Sequence, residues 1–332
     1  MGTPNARGGQ MPQVSVIVPV YNGEKYIEEA LESVFAQTFR DFDVIVVNDG
    51  STDGTEERLG KYRGRIIYIS QPNMGQSASR RKGLAAGSGP LIAFLDSDDL
   101  WLPKKLERQA AFAQAHPEYG IVSTDVLSFN ATGVVSPTLR KTYSISNGFV
   151  VEKLLFGNWI PPSAALVRRE CFDVVRNFDL PPPEHGEDWL MWMQIAAHYP
   201  VYFIDEVLVK RRVHAESVSS RDSERSMEHF FRNLEIMRNH IPQLSARPEL
   251  IDECAFRICL KHGLYHLHAL ECQRARTYSR KALGFKSYSM WAWILFLVSF
   301  APAWLVGAVK KMVKGPNRVA CWFYDRLRGG RL

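Results

Sequence analysis

The chain has 332 residues, 46% hydrophobic and 23% charged, enough for one large globular domain and a smaller one. A formal net charge of +6 and a pI of about 9.0 permit contact with phosphates or anionic lipid, and no nucleic-acid partner is expected. The five cysteines, Cys171, Cys254, Cys259, Cys272 and Cys321, are odd in number and lack a CxxC pair, which argues against a disulfide framework or a zinc site.

The opening stretch, MGTPNARGGQMPQ, is polar and has no apolar core, so a signal peptide is not expected. Ala6 breaks the myristoylation pattern. Residues 1–12 therefore read as a flexible terminus, and the bulk of the chain is expected in the cytosol, a reducing compartment.

Val14–Val20 (VSVIVPV) is β-branched and apolar, the pattern of a buried strand. Asn22 is placed to cap the helix that follows, in which Ile27, Ala30, Leu31, Val34 and Phe35 share one face. Asp43–Val47 is a second strand, followed by NDGSTDGT, a turn and helix start. Arg65–Ser70 is a third strand, with a helical stretch after it near Gln76–Ala86. Leu91–Leu95 is a fourth strand and Gly120–Leu127 a fifth.

This alternation predicts an α/β fold with a Rossmann-like, mostly parallel sheet flanked by helices. Such sheets bind ligands at the carboxyl ends of their strands. Asp49 follows the second strand, and Asp96, Asp98 and Asp99 follow the fourth. The first strand runs into VYNGEKY, which is no GxGxxG turn, so a nicotinamide or flavin cofactor is disfavoured. A diphosphate here needs another source of positive charge. A divalent cation held by carboxylates supplies it, and it makes clustered aspartates tolerable. The alternative is that these aspartates cap a helix beginning near Pro103.

Four segments in order, VSVIVPVYN, VIVVNDGSTDGT, QPNMGQSASRRKG and LIAFLDSDDLW, resemble the inverting family 2 glycosyltransferases of GT-A fold. The resemblance covers about residues 13–220. It implies that Pro19, Tyr21 and Glu24 lie around the base and ribose of a nucleotide, and that Asp49 contacts a uracil-type base. By the same likeness Arg80 belongs to the donor site. Asp98, with Asp96 beside it, serves a Mn2+ or Mg2+ ion and the sugar diphosphate. Arg81 departs from the pattern, since Asn is usual there, and Arg81 and Lys82 read as a solvated helix face.

Residues 184–193 (EHGEDWLMWM) match the place where the family opens a helix with an acidic pair. Asp188 stands at the general base, with Glu187 beside it. One carboxylate suffices for inversion, because the acceptor proton leaves as the new bond forms. Trp189 is the candidate for stacking on an acceptor sugar. The segment VLVKRRVHAESVS resembles the family's closing stretch, which implies that Arg212 neutralises phosphate and His214 reaches the metal or the diphosphate. No Q-x-x-R-W follows the acidic helix, so the resemblance implies transfer of single sugars. The competing reading is an inactive transferase-like module that binds nucleotide sugar as a scaffold; a nucleotidyltransferase is a more distant third.

Residues 221–286 read as charged helices. They could pair with a second copy, although no heptad run is sustained. Residues 287–309 carry no charge and are long enough to span a bilayer if fully helical. Basic residues flank them on both sides, Arg280, Lys281 and Lys286 before and Lys310, Lys311, Lys314 and Arg318 after. A single crossing would oppose the positive-inside bias. Residues 287–332 are therefore expected as a bent hairpin or interfacial helices on anionic lipid at the cytoplasmic face. The acceptor expected there is a glycan or a lipid-linked glycan.

Overall fold

The computed structural model describes residues 11–136, 138–175, 186–214 and 224–301. The chain forms two compact units, residues 1–243 and residues 244–332.

Among the described residues the first unit is built on a nine-stranded sheet. β1 (Val14–Val20) is an interior strand, third from one edge, and buried along its whole length. It pairs in parallel with β2 (Phe42–Asn48) on one side and with β4 (Leu91–Phe94) on the other. β3 (Ile67–Ser70) extends this parallel half beyond β2. The connections run through α1 (Ile27–Phe35), α2 (Thr55–Gly60) and α3 (Gln76–Ala86). The apolar stripe read from the sequence is real: Ile27, Ala30, Leu31 and Val34 are buried.

The other half of the sheet is mixed. After the two-residue strand β5 (Leu100–Trp101) and α4 (Lys105–Ala115) come β6 (Ile121–Asn130) and β7 (Gly133–Ser136). Beyond the short helices α5 (Leu139–Thr142) and α6 (Val151–Leu155), β8 (Leu166–Arg168) enters between β4 and β6, antiparallel to both. After α7 (Glu187–Ala196), β9 (Val201–Arg212) runs parallel to β6 and pairs antiparallel with β5. β8 was not legible in the sequence; three residues are too few for a periodic signal.

One expectation changes, and one alternative falls away. Asn22 does not cap α1. It sits at φ +51°, in the left-handed region, and its Oδ1 accepts from Thr52 N at 2.8 Å. The three aspartates after β4 do not cap the next helix either. β5 intervenes, and α4 starts at Lys105 with no side-chain cap.

α8 (Glu224–His240) belongs to the first unit. Its Phe230 ring stacks on Trp189 with centroids 5.4 Å apart. Asn233 Nδ2 donates to Gly186 O at 3.0 Å.

The short helix α9 (Pro242–Ser245) spans the boundary in sequence. The second unit contains α10 (Pro248–His268), α11 (Cys272–Phe285) and α12 (Met290–Val298). Gly263 on α10 leaves room for Leu295, since a Cβ there would come within 2.7 Å of Leu295 Cδ2. Among the described residues no helix is long and apolar enough to cross a membrane. Residues 302–309 of the uncharged run, with Pro302 and Trp304, lie outside the described residues.

Candidate active site

The carboxyl ends of the parallel strands converge on one cavity of about 220 Å³. Pro19 and Tyr21 line it from the end of β1, Asp49 from the end of β2, and Asp96 and Asp98 from the turn after β4. His214, just beyond β9, closes the far wall.

The three aspartates solve their mutual repulsion separately. Asp96 Oδ1 pairs with Arg80 at 3.0 Å. Asp98 Oδ2 lies 3.0 Å from His214 Nε2. Asp99 is buried, and accepts from Ser163 Oγ at 2.6 Å and Arg212 N at 3.0 Å. Ser163 Oγ also accepts from Asp96 N at 3.1 Å, so one hydroxyl holds both ends of the turn. Burial pushes Asp99 well above the usual carboxylate range, and the charges of Asp96 and Asp98 push the same way. Asp98 is raised by burial and then by Asp96, against the pull of His214.

Arg80 is 2% exposed and joins two parts of the site. One guanidinium nitrogen holds Asp96 and the other holds Glu187 Oε1, each at 3.0 Å. It therefore contacts both a cavity-lining carboxylate and the acidic pair that opens α7, and is not itself among the lining residues. Gly186 stands before that pair at φ +79°, a left-handed geometry that glycine adopts without strain. Asp188 is partly buried, and its Oδ2 accepts from Asn158 Nδ2 at 3.1 Å. Burial first, and then the Glu187 charge, raise its carboxyl to about 6 against the opposing field of Arg80. A carboxylate titrating there is matched to proton abstraction near neutral pH.

Asp49 lines the cavity, yet its oxygens are heavily engaged. Oδ1 accepts from Gln71 Nε2 at 2.7 Å and Met74 N at 2.9 Å, and Oδ2 from Gly75 N at 2.8 Å. The residue clamps the loop between β3 and α3. Glu24 is not among the lining residues; its carboxylate accepts from Gly54 N at 2.7 Å and ties down the NDGSTDGT loop.

Arg212 is also held by the protein. It pairs with Glu29 at 2.9 Å, donates from Nε to Asp98 O at 3.1 Å, and lies 4.5 Å over the Tyr26 ring. Trp189 is 7% exposed, stacks on Phe230 and donates to Leu154 O at 2.8 Å, so its ring is largely covered by protein. Arg81 and Lys82 are exposed on α3, outside the cavity lining.

Sequence reasoning missed Ser163, Asn158 and Gln71. Ser163 and Asn158 come from the segment between β6 and β8, where neither spacing nor composition marks a role.

The donor set can be weighed for a divalent cation. Among the described residues no group of three or more His, Cys, Asp or Glu is arranged to hold a metal ion by itself. Asp98 and His214 do offer a hard oxygen and an imidazole nitrogen 3.0 Å apart. In this structure the two are in direct hydrogen-bond contact, and both are of a type that could serve as ligands to a divalent ion. Magnesium-type sites commonly take their remaining ligands from phosphate oxygens and water.

Glycosyl transferase family 2 matches residues 15–174, a segment holding Asp49, Arg80, the aspartate turn and Ser163. Asp188 and His214 lie beyond it. An uncharacterized glycosyltransferase of Haemophilus influenzae is 30% identical over 228 residues, 63% of this chain and 68% of that protein. Glycosyltransferases of two Rickettsia species are matched over 66% and 64% of their own lengths, so the chain spans just under two thirds of those relatives. Among solved structures, S. aureus TarS 1-349 in complex with UDP-GlcNAc aligns with a TM-score of 0.63 and 20% identity, over 90% of this chain and 92% of that one. The mannosyltransferase PcManGT from Pyrobaculum calidifontis, in complex with GDP-Man and Mn2+, aligns at 0.54 and 19%, over 92% and 88%. These likenesses establish the fold alone. The matched segment and the Haemophilus relative together show that the chain belongs to glycosyl transferase family 2.

Proposed function

We propose that the chain transfers a single sugar, with inversion, from a UDP-sugar to a hydroxyl of a glycan or lipid-linked glycan. The observation that carries this reading is the Arg80 bridge. It ties Asp96, on the cavity wall, to Glu187, next to the raised carboxyl of Asp188. A cavity suited to a nucleotide and a base suited to an acceptor are thereby held side by side. The TarS complex with UDP-GlcNAc supports a uridine donor, and the PcManGT complex supports a divalent ion.

Pro19 and Tyr21 would flank the nucleotide, while Asp49 and Gln71 keep the loop beneath it in place. Asp98 and His214 would hold Mn2+ or Mg2+, which when bound neutralises the charge gathering on the departing diphosphate. Asp188 takes the proton of the attacking hydroxyl. Asn158 fixes the rotamer of that carboxylate by donating to one oxygen, which leaves the other for the acceptor. Glu187, locked on Arg80, keeps α7 in register. No side-chain nucleophile is needed, because inversion is one displacement.

The relatives matched here are named as glycosyltransferases, and no observation favours an inactive scaffold. The deciding experiment pairs Asp188→Asn with a donor screen. Several nucleotide sugars are tested for thermal stabilisation with and without manganese, and turnover is measured with the stabilising one. The variant should keep the thermal shift and lose transfer. Retained transfer would remove Asp188 from the reaction, and a shift with no nucleotide sugar would sink the donor reading.

A further inference from the structure

The basicity of this chain is confined to its end. Residues 272–332 carry 12 Lys and Arg against one acid, Asp325, a net of +11. Residues 1–271 carry the remaining 29 basic and 34 acidic residues, a net of −5. Such a division of charge points to an anionic surface as the partner of one segment.

Among the described residues the same segment presents an exposed apolar face, with Phe300 partly covered by the Arg276 guanidinium 3.7 Å from its ring. α12 has nine residues, about 13.5 Å at 1.5 Å per residue, too short to cross a hydrocarbon layer of ~30 Å. Ala292, Leu295 and Ser299 turn inward and are buried. Met290, Trp293, Ile294, Leu297, Val298 and Phe300 are exposed, at the spacing of one helix face. Tyr288, just before the helix, is 81% exposed. Ser289 caps the helix by accepting from Ala292 N, so the face is presented by a formed element. Arg280 and Lys281 are exposed on the preceding helix, α11.

We infer that α12 is an in-plane membrane helix, its exposed face inserting at the headgroup–acyl boundary of an anionic leaflet while the surrounding basic residues meet lipid phosphate. Three features select lipid over a second copy of this chain. Two copies of a +11 segment repel each other. Basic clusters stand on both sides of the uncharged run 287–309, which suits a helix lying on a leaflet and opposes a single crossing. The exposed side chains include Trp and Tyr, residues that favour the interface. The inference uses the second unit alone and does not depend on the transferase reading.

The test uses the full chain without nucleotide, sedimented with vesicles of phosphatidylcholine alone or mixed with phosphatidylglycerol. Wild type should bind the mixed vesicles at least ten-fold more tightly, and weaken in about 1 M salt, where the Debye length falls to ~3 Å. Leu297→Glu, at a position already 62% exposed, should lose about ten- to a hundred-fold in partitioning with an unchanged melting temperature. Arg280→Glu with Lys281→Glu should narrow the preference for anionic vesicles. Equal binding to both vesicle types, binding to neither, or no effect of Leu297→Glu overturns the inference. So does a lipid-free dimer that Leu297→Glu dissolves, which assigns the face to self-association. Should Leu297→Glu fail to fold, the wild-type contrast between vesicle types and salts decides. None of these failures touches the donor screen or the Asp188→Asn result.

Discussion

Arg80 and Glu187, 107 positions apart in sequence, form a buried ion pair at 3.0 Å. The contact sets the distance between the α3 side of the cavity and the helix that carries Asp188. Its other arm, on Asp96, means that one guanidinium neutralises two carboxylates brought from different strand ends. Truncating it leaves both uncompensated in a poorly solvated site.

Arg80→Ala should therefore cost about 3–5 kcal/mol in urea unfolding, within the range for breaking a buried pair from one side. Arg80→Lys restores charge but cannot fork between two acceptors. It should recover part of the stability and little of the turnover.

Transfer should depend on pH through Asp188. In the proposed reaction Asp188 works ionised, and its carboxyl titrates at about 6. The rate should be flat above that value and fall ten-fold per pH unit below it. Asp188→Asn should lower kcat by about 10²–10⁴-fold while leaving the donor KM near wild type. Asn158→Ala removes a hydrogen bond that favours the charged form, so the acidic limb should move to higher pH.

The same raised carboxyl has a stability consequence of opposite sign to the usual acid. The folded state holds the Asp188 proton up to about pH 6, whereas an unperturbed aspartate releases it near ~3.9. Between those values folding takes up a proton, and stability falls as pH rises. At pH 7 Asp188→Asn should consequently be more stable than wild type, by up to about 3 kcal/mol, and the gain should vanish near pH 3. Denaturant titrations of both proteins at three pH values measure it.

Asp49→Asn places an amide NH2 where a backbone N–H or the Gln71 amide now donates. About 1–3 kcal/mol should be lost, and the donor KM should rise as the Gln71–Gly75 loop loosens. Urea unfolding and initial-rate kinetics separate the two effects.

His214→Ala and Asp98→Asn should each weaken manganese-dependent thermal stabilisation by UDP, by ten-fold or more in apparent affinity. Glu24→Gln, outside the cavity lining, should leave that affinity unchanged.

Periodicity and side-chain chemistry alone determined the parallel half of the sheet, because a continuous β-branched run such as VSVIVPV has few alternatives once buried. They also pointed to the strand ends, since carboxylates there have no apolar use, and Asp49, Asp96 and Asp98 do line one cavity. The roles within it were decided by tertiary structure. Trp189 shares its acidic-helix motif with Asp188, yet α8 arrives some forty residues later and covers its ring. Arg80, Glu24 and Arg212 read as donor contacts, and the folded chain also brings Glu187, Gly54 and Glu29 to them, partners no local pattern announces. Ser163 and Asn158 carried no local signal. A hydroxyl or an amide acquires a role only when long-range folding sets a carboxylate or a backbone N–H within about 3 Å of it, and that proximity is written in no single stretch of the chain.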